Sequence, residues 1–318
     1  MKKLSIIVAA YNVESYIEEC LKSIVNLGLN IETEVIVIND GSEDGTLDII
    51  NSFDQKNIRV ISIENSGISA VRNIGILEST GEYIYFVDGD DSISHLDFIS
   101  FCKKLDQGFD ILIAGYNTYI NKNTGYKSII RNFNDTDCGN GLNILNKYFM
   151  KEFETSVWRA FYRKENIINN EIFFTKGIVV AEDAEWLIKI LIVSKKVYFD
   201  NSKKIYNYRL RDGSVMRSQF NNKKFEDMLY VANSIKEFSI KENINSHISQ
   251  RINYYILILV ISALVKKKDK ITNENSFLVK KLLLNLKFFN FKLNIIKFFL
   301  INFTSFTTIL LRVYYRVF

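Results

Sequence analysis

Proline is absent from the 318 residues, histidine occurs twice and cysteine three times. An average chain of this length would contain about 16 prolines, and the abundance of Asn, Lys, Ile, Phe and Tyr suggests that codon bias removed them. The two histidines, His95 and His247, exclude a histidine-rich zinc site and a His-Glu-x-x-His motif. Three widely spaced cysteines form neither a disulfide framework nor a Cys-x-x-Cys metal site, so we expect a reducing compartment.

Long apolar runs are missing as well. No window reaches the 18 uninterrupted apolar residues that indicate a membrane-spanning helix, and the nearest, at 254–265 and 298–311, predict none. The apolar run from Leu4 to Ala10 is short for a signal peptide, is followed closely by Glu14 and lacks a convincing cleavage site. A first β-strand explains this run better.

The net charge of +5 is unevenly distributed. From Lys266 to the C-terminus, the sequence contains 11 Lys and Arg but only 2 Asp and Glu. The preceding 265 residues carry 30 basic and 34 acidic groups. Within 277–318, helical spacing gathers six apolar residues on one charge-free face and spreads five lysines over the rest. These are Leu278, Leu282, Phe289, Leu293, Ile296 and Leu300, against Lys280, Lys281, Lys287, Lys292 and Lys297.

A basic, apolar tail of this kind favours an in-plane helix on an anionic membrane surface. The alternative is a helix that packs on the rest of the protein or on another subunit and keeps its lysines in water. Aromatic residues among lysines also occur in nucleic-acid-binding proteins, but no recognised module accompanies them here, so we expect no nucleic-acid partner.

Strand and helix patterns alternate over the first 120 residues. Strand patterns cover 4–10, 34–38, 58–63 and 82–87, and helix patterns cover 14–27, 46–53 and 68–79. This order predicts a parallel sheet covered by helices. From about residue 109 the pattern becomes mixed, with an expected hairpin at 110–120 and 125–130 and expected helices at 140–151 and 179–193. Beyond 225 the chain is wholly helical, which suggests two regions, 1–217 and 218–318.

Polar residues follow each of the first four predicted strands. They are Tyr11, Asp40, the segment 65–72 and the segment 88–91. Because ligands of parallel α/β sheets bind beyond the carboxyl ends of the strands, we expect these four loops to form one site.

The residue types in these loops suit a nucleotide diphosphate. Asp88, Asp90 and Asp91 would repel one another unless solvated or bridged by Mg²⁺ or Mn²⁺ on a diphosphate, although acids also cap helices. Arg72 could clamp a phosphate with two hydrogen bonds or form a surface salt bridge. Asp40 could accept a hydrogen bond from an imide N–H such as that of uracil, or form an Asx-turn.

The motifs resemble those of the family 2 glycosyltransferases with the GT-A fold. The matches are the apolar strand ending in Tyr-Asn at 5–12, the Asp-Gly-Ser-x-Asp-Gly-Thr turn at 40–46, the Arg-Asn-x-Gly segment within 69–75, and the Asp-x-Asp element at 88–90. They occur in the family's order and spacing. The resemblance is close over 4–95 and looser to about 217.

The resemblance implies a fold, an activity and a cofactor. The fold would be α/β of GT-A type, Rossmann-like, with a mixed, mainly parallel sheet flanked by helices. Residues 1–217 would be the catalytic domain and 218–318 a helical C-terminal region with a basic amphipathic tail. The activity would be inverting transfer of a sugar from a UDP-sugar to a hydroxyl of a glycan or lipid-linked acceptor in cell-surface polysaccharide synthesis. The cofactor would be Mn²⁺ or Mg²⁺.

The resemblance also assigns roles by position. Tyr11 and Asp40 correspond to nucleobase contacts, and Ala9 lies where the family makes backbone contacts. Arg72 corresponds to a diphosphate contact, Asp88 to a ribose-side or metal-side acid, and Asp90 to the principal metal ligand. Glu182 and Asp183 correspond to the catalytic base region with Asp183 as the base, although without the resemblance an acidic first helical turn would be the better explanation of the two residues. Arg211 and Ser214 correspond to groups that close over the diphosphate. Ala181 stands where the family often has Gly, and Ala9 or Ala10 where it often has Pro.

Two other functions fit the same residues. One is a polyprenyl-phosphate sugar transferase, whose phosphate acceptor needs no strong base. The other is a non-catalytic scaffold protein that binds a nucleotide sugar. For the leading hypothesis we expect a cytoplasmic protein that is peripheral on the inner face of the cell membrane.

Overall fold

The computed structural model describes residues 3–28, 33–53, 57–119, 136–149, 156–211, 219–267 and 273–302. The strands of this part are β1 Leu4–Ala10, β2 Thr33–Asp40, β3 Ile58–Ile63, β4 Tyr83–Asp88, β5 Ser92–Ile93, β6 Ile111–Tyr119, β7 Thr136–Gly139, β8 Ala160–Arg163 and β9 Val197–Arg209. The helices are α1 Ile17–Val25, α2 Thr46–Asn51, α3 Ile68–Glu78, α4 His95–Cys102, α5 Gly141–Phe149, α6 Lys164–Asn169, α7 Glu182–Val193, α8 Asn222–Lys241, α9 Ser246–Lys266, α10 Asn273–Leu284 and α11 Phe291–Asn302.

The strands form one mixed sheet in the order β3-β2-β1-β4-β8-β6-β9-β5, and β7 pairs with β9. The longest pairings, among β1 to β4 and between β6 and β9, are parallel. Strand β8 runs antiparallel to β4 and β6, and β5 and β7 run antiparallel to β9. The predicted mixed, mainly parallel sheet with flanking helices is therefore confirmed. Of the expected hairpin, β6 is present, and residues 125–130 lie outside the described residues.

The apolar run of β1 explains why this strand lies in the buried centre of the sheet. Val8 lies in register with Val37 of β2 and Val87 of β4, and all three are fully buried. A strand with parallel neighbours on both sides and helices on both faces is buried throughout, so its sequence is continuously apolar. Two apolar clusters accordingly fill the two faces of the sheet.

The C-terminal helices continue the larger of these clusters. Helix α8 packs on α7 and α9, and α9 also packs on α5. At the α7–α8 contact, the buried Glu185 accepts hydrogen bonds from Lys189 Nζ at 2.6 Å and Ser234 Oγ at 2.5 Å. These contacts fix α8 and α9 beside the sheet, and the division at residue 217 stays a prediction.

The tail differs from the single amphipathic helix expected for it. Helix α10 ends at Leu284 and α11 begins at Phe291, and 303–318 lie outside the described residues. The intervening turn changes the helical phase, so Leu282 and Leu300 are buried whereas Phe289 is 81 % exposed. The expectation of one apolar face along one helix is therefore wrong, and part of the tail packs on the body through α10 and α8.

Helix α9 is long and apolar enough to cross a membrane. Its most apolar 18-residue window has a mean hydropathy of 1.6, and half of that window is buried inside the protein. Core helices of globular proteins share these properties, so the helix alone indicates no membrane span.

Candidate active site

A cavity of about 1260 Å³ opens beyond the carboxyl ends of β1, β2 and β4. It brings together nine of the ten residues singled out from the sequence: Ala9, Tyr11, Asp40, Arg72, Asp88, Asp90, Glu182, Asp183 and Arg211. Ser214 lies outside the described residues. The four loops that follow the parallel strands thus meet at one edge of the sheet, joined by the start of α7 and the end of β9.

The three aspartates after β4 have different surroundings. Asp88 and Asp90 line the cavity. Asp91 points into the protein, where it accepts hydrogen bonds from Tyr206 Oη at 2.8 Å and Arg209 N at 2.7 Å. Burial, together with the neighbouring aspartates, raises the pKa of Asp91 well above its usual value. Asp91 therefore ties β9 to the end of β4, and of the three aspartates only Asp88 and Asp90 face the cavity.

Gly89 lets the segment pass close to β1. Its N–H donates to Ala9 O at 2.8 Å, and a Cβ at this position would lie 2.8 Å from the same oxygen. Real Cβ atoms do not approach backbone oxygen so closely, so any side chain here must move the backbone that positions Asp88 and Asp90.

We expect Gly89→Ala to weaken metal-dependent UDP binding while the protein stays folded. The added methyl group displaces both flanking carboxylates from the geometry that a divalent cation requires. Calorimetric titration of UDP with Mn²⁺ measures the effect. Gly28→Ala is the control, since a Cβ at 28 would meet no atom within 4 Å and Gly28 does not line the cavity. Because the φ of Gly28 is positive, at 54°, this control also adds local backbone strain, but away from the aspartates. Equal affinity of Gly89→Ala and wild type would contradict the assignment.

Arg72 joins two acidic elements of the site. Its guanidinium contacts Asp183 Oδ1 at 2.5 Å and Asp88 Oδ1 at 3.2 Å, and the Arg72 side chain is only 4 % exposed. The ring of Phe174 lies 5.3 Å from the guanidinium carbon. In this structure Arg72 is thus paired with carboxylates, and its predicted diphosphate contact would be added to those pairs or replace them.

Two acidic side chains near Arg72, those of Asp88 and Glu182, have raised pKa values. Burial, opposed by Arg72 and assisted by Asp90, raises the pKa of Asp88 to about 6. Burial and the adjacent Asp183 raise the pKa of Glu182 to about 7. Strongly shifted carboxyl groups in a cleft are typical of functional sites.

Asp40 orders the loop between β3 and α3. It is 4 % exposed, and its two carboxylate oxygens accept hydrogen bonds from Ser66 N at 2.8 Å and Gly67 N at 2.9 Å. These bonds reach across to a neighbouring loop, so the Asx-turn alternative does not describe Asp40. Tyr11, at the end of β1, is 44 % exposed and forms part of the same wall.

Arg211 closes the cavity from the end of β9. Its Nε lies 2.5 Å from Asp90 Oδ2. The neighbouring Arg209 was not among the residues predicted from the sequence. It donates from Nε to Asp90 O at 2.8 Å and pairs with Glu19 at 2.8 Å. The signal that could have found it is the Arg-x-Arg spacing at 209–211, which places two cations beside one acidic loop.

Aromatic side chains form further walls that the sequence analysis did not identify. Trp158 stacks on Tyr206 with ring centroids 4.3 Å apart, and on Tyr208 at 5.5 Å. Trp158, Tyr208 and Tyr116 line the cavity, and Tyr148, Phe149, Tyr254 and Tyr255 line it elsewhere. The position of a single Trp such as Trp158 cannot be predicted from local sequence. The Tyr-x-Tyr alternation in β9, in contrast, indicates that Tyr206 and Tyr208 lie on the same face of the strand.

The carboxylates of Asp88 and Asp90 fit a divalent cation completed by its substrate. In the described part of the chain, neither Asp88 Oδ2 nor Asp90 Oδ1 has a hydrogen-bond partner, and both side chains are partly exposed to the cavity. No group of three potential protein ligands occurs among those residues. Mg²⁺ and similar ions commonly use one or two carboxylates plus substrate phosphates, so a two-aspartate site suffices.

Comparison with known proteins agrees with this geometry. Residues 5–169 match the family described as Glycosyl transferase family 2. Glycosyltransferase GlyA of Streptococcus pneumoniae is 32% identical over 226 residues, 68% of this chain and 32% of that protein. The minor teichoic acid biosynthesis protein GgaA of Bacillus subtilis is 32% identical over 241 residues, 71% of this chain and 52% of that protein. The chain therefore spans between a third and about half of these relatives.

A solved structure shares the fold over nearly the whole chain. S. aureus TarS 1–349, in complex with UDP-GlcNAc, superposes with a TM-score of 0.80 at 22% identity, covering 99% of this chain and 92% of that one. The predicted GT-A fold is thus confirmed. With the match over 5–169 covering half of the sequence, the chain belongs to glycosyl transferase family 2.

Proposed function

We propose that the protein is an inverting glycosyltransferase that moves a sugar from a UDP-sugar to a hydroxyl of a glycan or lipid-linked acceptor in cell-surface polysaccharide synthesis. The observation that carries this proposal is the convergence of Asp88, Asp90 and Asp183 on one cavity, with Arg72 joining the first and last. The family supports the activity, and the named relatives support cell-surface polymers as its setting.

The donor would occupy the edge built by β1, β2 and β4. Tyr11, Asp40 and the backbone of Ala9 would contact the nucleobase, with Asp40 also holding the loop at 66–67 in place. Arg72, Arg211 and Ser214 would contact the diphosphate. Asp88 and Asp90 would hold Mn²⁺ or Mg²⁺, which when bound offsets negative charge on the diphosphate. The complex of TarS with UDP-GlcNAc supports a UDP-sugar as the donor class.

Asp183 would act as the base in a single displacement. Its carboxylate takes the proton of the acceptor hydroxyl as that oxygen bonds to the anomeric carbon and the bond from this carbon to the diphosphate oxygen breaks. Arg72 fixes Asp183 through Oδ1, and Val157 N lies 3.4 Å from Oδ2. Burial and the adjacent Asp183 raise the pKa of Glu182, which favours its neutral form and so limits charge repulsion at Asp183.

The stereochemistry of the product tests the mechanism. We expect a β-linked product from an α-linked UDP-sugar, seen in the anomeric proton coupling by NMR, because one displacement inverts the anomeric carbon. An α-linked product would contradict the proposed displacement. A folded preparation that binds UDP but never turns over a UDP-sugar would favour the scaffold alternative.

The basic tail would hold the enzyme on the cytoplasmic face of the membrane. Lys281, Lys287 and Lys292 are exposed, as are apolar side chains of the same helices and turn, including Phe289 and Phe298. Lysines near an anionic surface contribute about 1 kcal/mol each, and exposed aromatic rings add apolar contact.

We expect the protein to cosediment with vesicles rich in phosphatidylglycerol and not with phosphatidylcholine vesicles. The double variant Lys281→Glu/Lys292→Glu should lose most of this binding. Lys103→Glu/Lys195→Glu makes the same charge change at exposed lysines outside the tail and should lose much less. Equal losses in the two double variants would show that only net charge matters and would contradict a membrane-binding tail.

A further inference from the structure

One part of the cavity lies outside the proposed contacts with the donor and the acceptor hydroxyl. We call it the apolar arm and define it by six residues: Tyr148 and Phe149 of α5, Val179 before α7, and Tyr254, Tyr255 and Ile258 of α9. None of the six is charged. The carboxylates and guanidinium groups that line the cavity belong to other residues, and those nearest in sequence are Glu182 and Asp183, at the start of the helix that follows Val179.

The apolar arm offers ring surface in preference to hydrogen bonds. Tyr148, Phe149 and Tyr255 form a cluster with ring centroids 5.3 to 5.6 Å apart. The hydroxyl groups of Tyr148 and Tyr255 hydrogen-bond to each other, and burial raises the pKa of Tyr255 well above its usual value. A sugar would bring several hydroxyl groups that need partners. The side chains of Phe149, Val179 and Ile258 provide none, so a hydrocarbon suits this surface better.

The apolar surface continues along the outside of α9. Tyr254 is 44 % exposed and Ile258 is 38 % exposed, and Ile261 and Val265 are half-buried. Spacings of four, three and four residues place these side chains on one face of the helix. At 1.5 Å per residue this stripe extends for about 16 Å. It begins at the cavity, because Tyr254 and Ile258 belong to both.

We propose that the apolar arm and the α9 stripe bind the hydrocarbon chain of a lipid-linked acceptor. This inference rests on the proposed function and names the acceptor class of the same site. The chain would lie on Tyr254 and Ile258 and leave along α9, so that its hydroxyl-bearing head group reaches Asp183. The exposed lysines of α10 and α11 are complementary to an anionic lipid surface, from which such an acceptor would be drawn.

The test uses a fluorescent farnesyl phosphate as probe, titrated into the full chain in detergent-free buffer. Ile258→Glu and Val179→Glu place a carboxylate in the apolar arm from two different parts of the chain. The two positions are 38 % and 42 % exposed, so we expect both variants to fold. Ile240→Glu is the matched control, since Ile240 is 67 % exposed on α8 and does not line the cavity. UDP titration and thermal unfolding of each preparation report on the donor site and the fold.

We expect Ile258→Glu and Val179→Glu each to weaken probe binding at least tenfold. A hydrocarbon chain bound against the new carboxylate would strip it of water, which is energetically unfavourable. Ile240→Glu should bind the probe like wild type, and inorganic phosphate should not displace it. Equal affinities of Ile258→Glu and Ile240→Glu would overturn the proposal, as would displacement by phosphate. Self-association of the wild type that Ile258→Glu abolishes, without a change in probe affinity, would instead assign the stripe to a second copy.

Two further outcomes separate this inference from the proposed function. A wild type that binds UDP but not the probe overturns the lipid site alone and leaves the donor site standing. Loss of probe binding in Phe298→Glu, with the apolar-arm variants unaffected, would place the probe on the exposed aromatic residues of α11 and also overturn the proposal.

Discussion

Replacing Asp183 by Asn should reduce sugar transfer by about 10²- to 10⁴-fold, the usual contribution of a general base. The amide cannot take the acceptor's proton, yet it keeps the size of the side chain and an oxygen for Arg72, which contacts Asp183 Oδ1 at 2.5 Å. UDP affinity should therefore change little. Initial rates of UDP release at saturating acceptor, with UDP titrations alongside, measure both quantities.

Glu182→Gln is the matched comparison for Asp183→Asn. It removes a carboxylate one residue earlier, at the same start of α7, and should cost far less activity. Unchanged transfer in Asp183→Asn would contradict a hydroxyl acceptor activated by this residue. If the same variant also transfers sugar to a polyprenyl phosphate, the result would favour the polyprenyl-phosphate alternative, because a phosphate acceptor is already ionised and needs no base.

Replacing Arg72 by Met should lower both stability and activity. Arg72 is 4 % exposed and its two carboxylate partners are 28 % and 20 % exposed. Removing one partner of a buried ion pair leaves charge without compensation. Since Asp88 and Asp183 can still take up water or a proton, we expect a loss of about 2 kcal/mol in the free energy of unfolding. Urea unfolding measures it.

Arg59→Met controls for the loss of an arginine as such. Arg59 pairs with Glu78 at 2.7 Å, and both side chains are 47 % exposed. Such surface pairs contribute about 0–1 kcal/mol, so the control should be nearly as stable as wild type. If Arg72→Met and Arg59→Met lost equal stability, Arg72 would not be the link between α3, β4 and α7. Transfer by Arg72→Met should also fall, because Asp183 loses the contact that orients it.

Local patterns in the sequence predicted the half of the sheet that carries the motifs. The continuous apolar run of β1 and the turn at 40–46 are encoded by neighbouring residues, so their position at the ligand edge followed from the rule for parallel strands. The carboxylates of Asp88 and Asp90 could be placed for the same reason. The Asp-x-Asp spacing itself did not show that the next residue, Asp91, turns inward.

Contacts between distant parts of the chain could not be predicted this way. Arg72 and Asp183 are 111 residues apart, and their pairing depends on how α7 docks against α3, which no local pattern specifies. The apolar arm has the same origin, since α5 and α9 are far apart in the sequence and are brought together only by the fold. The prediction of one amphipathic helix in the tail was wrong for a simpler reason. Helical periodicity was assumed to continue through 285–290, where the chain turns and Lys236 Nζ donates to Asn285 O at 2.6 Å.

Calorimetric titration of UDP and GDP, each with and without Mn²⁺, tests the donor site most directly. The wild type should bind UDP only with Mn²⁺ and should not bind GDP. Asp90→Ala should lose UDP binding because it removes the proposed principal ligand of the cation. Asp106→Ala, at a carboxylate 83 % exposed and outside the cavity, should keep UDP binding. A folded wild type that binds neither nucleotide would contradict the account.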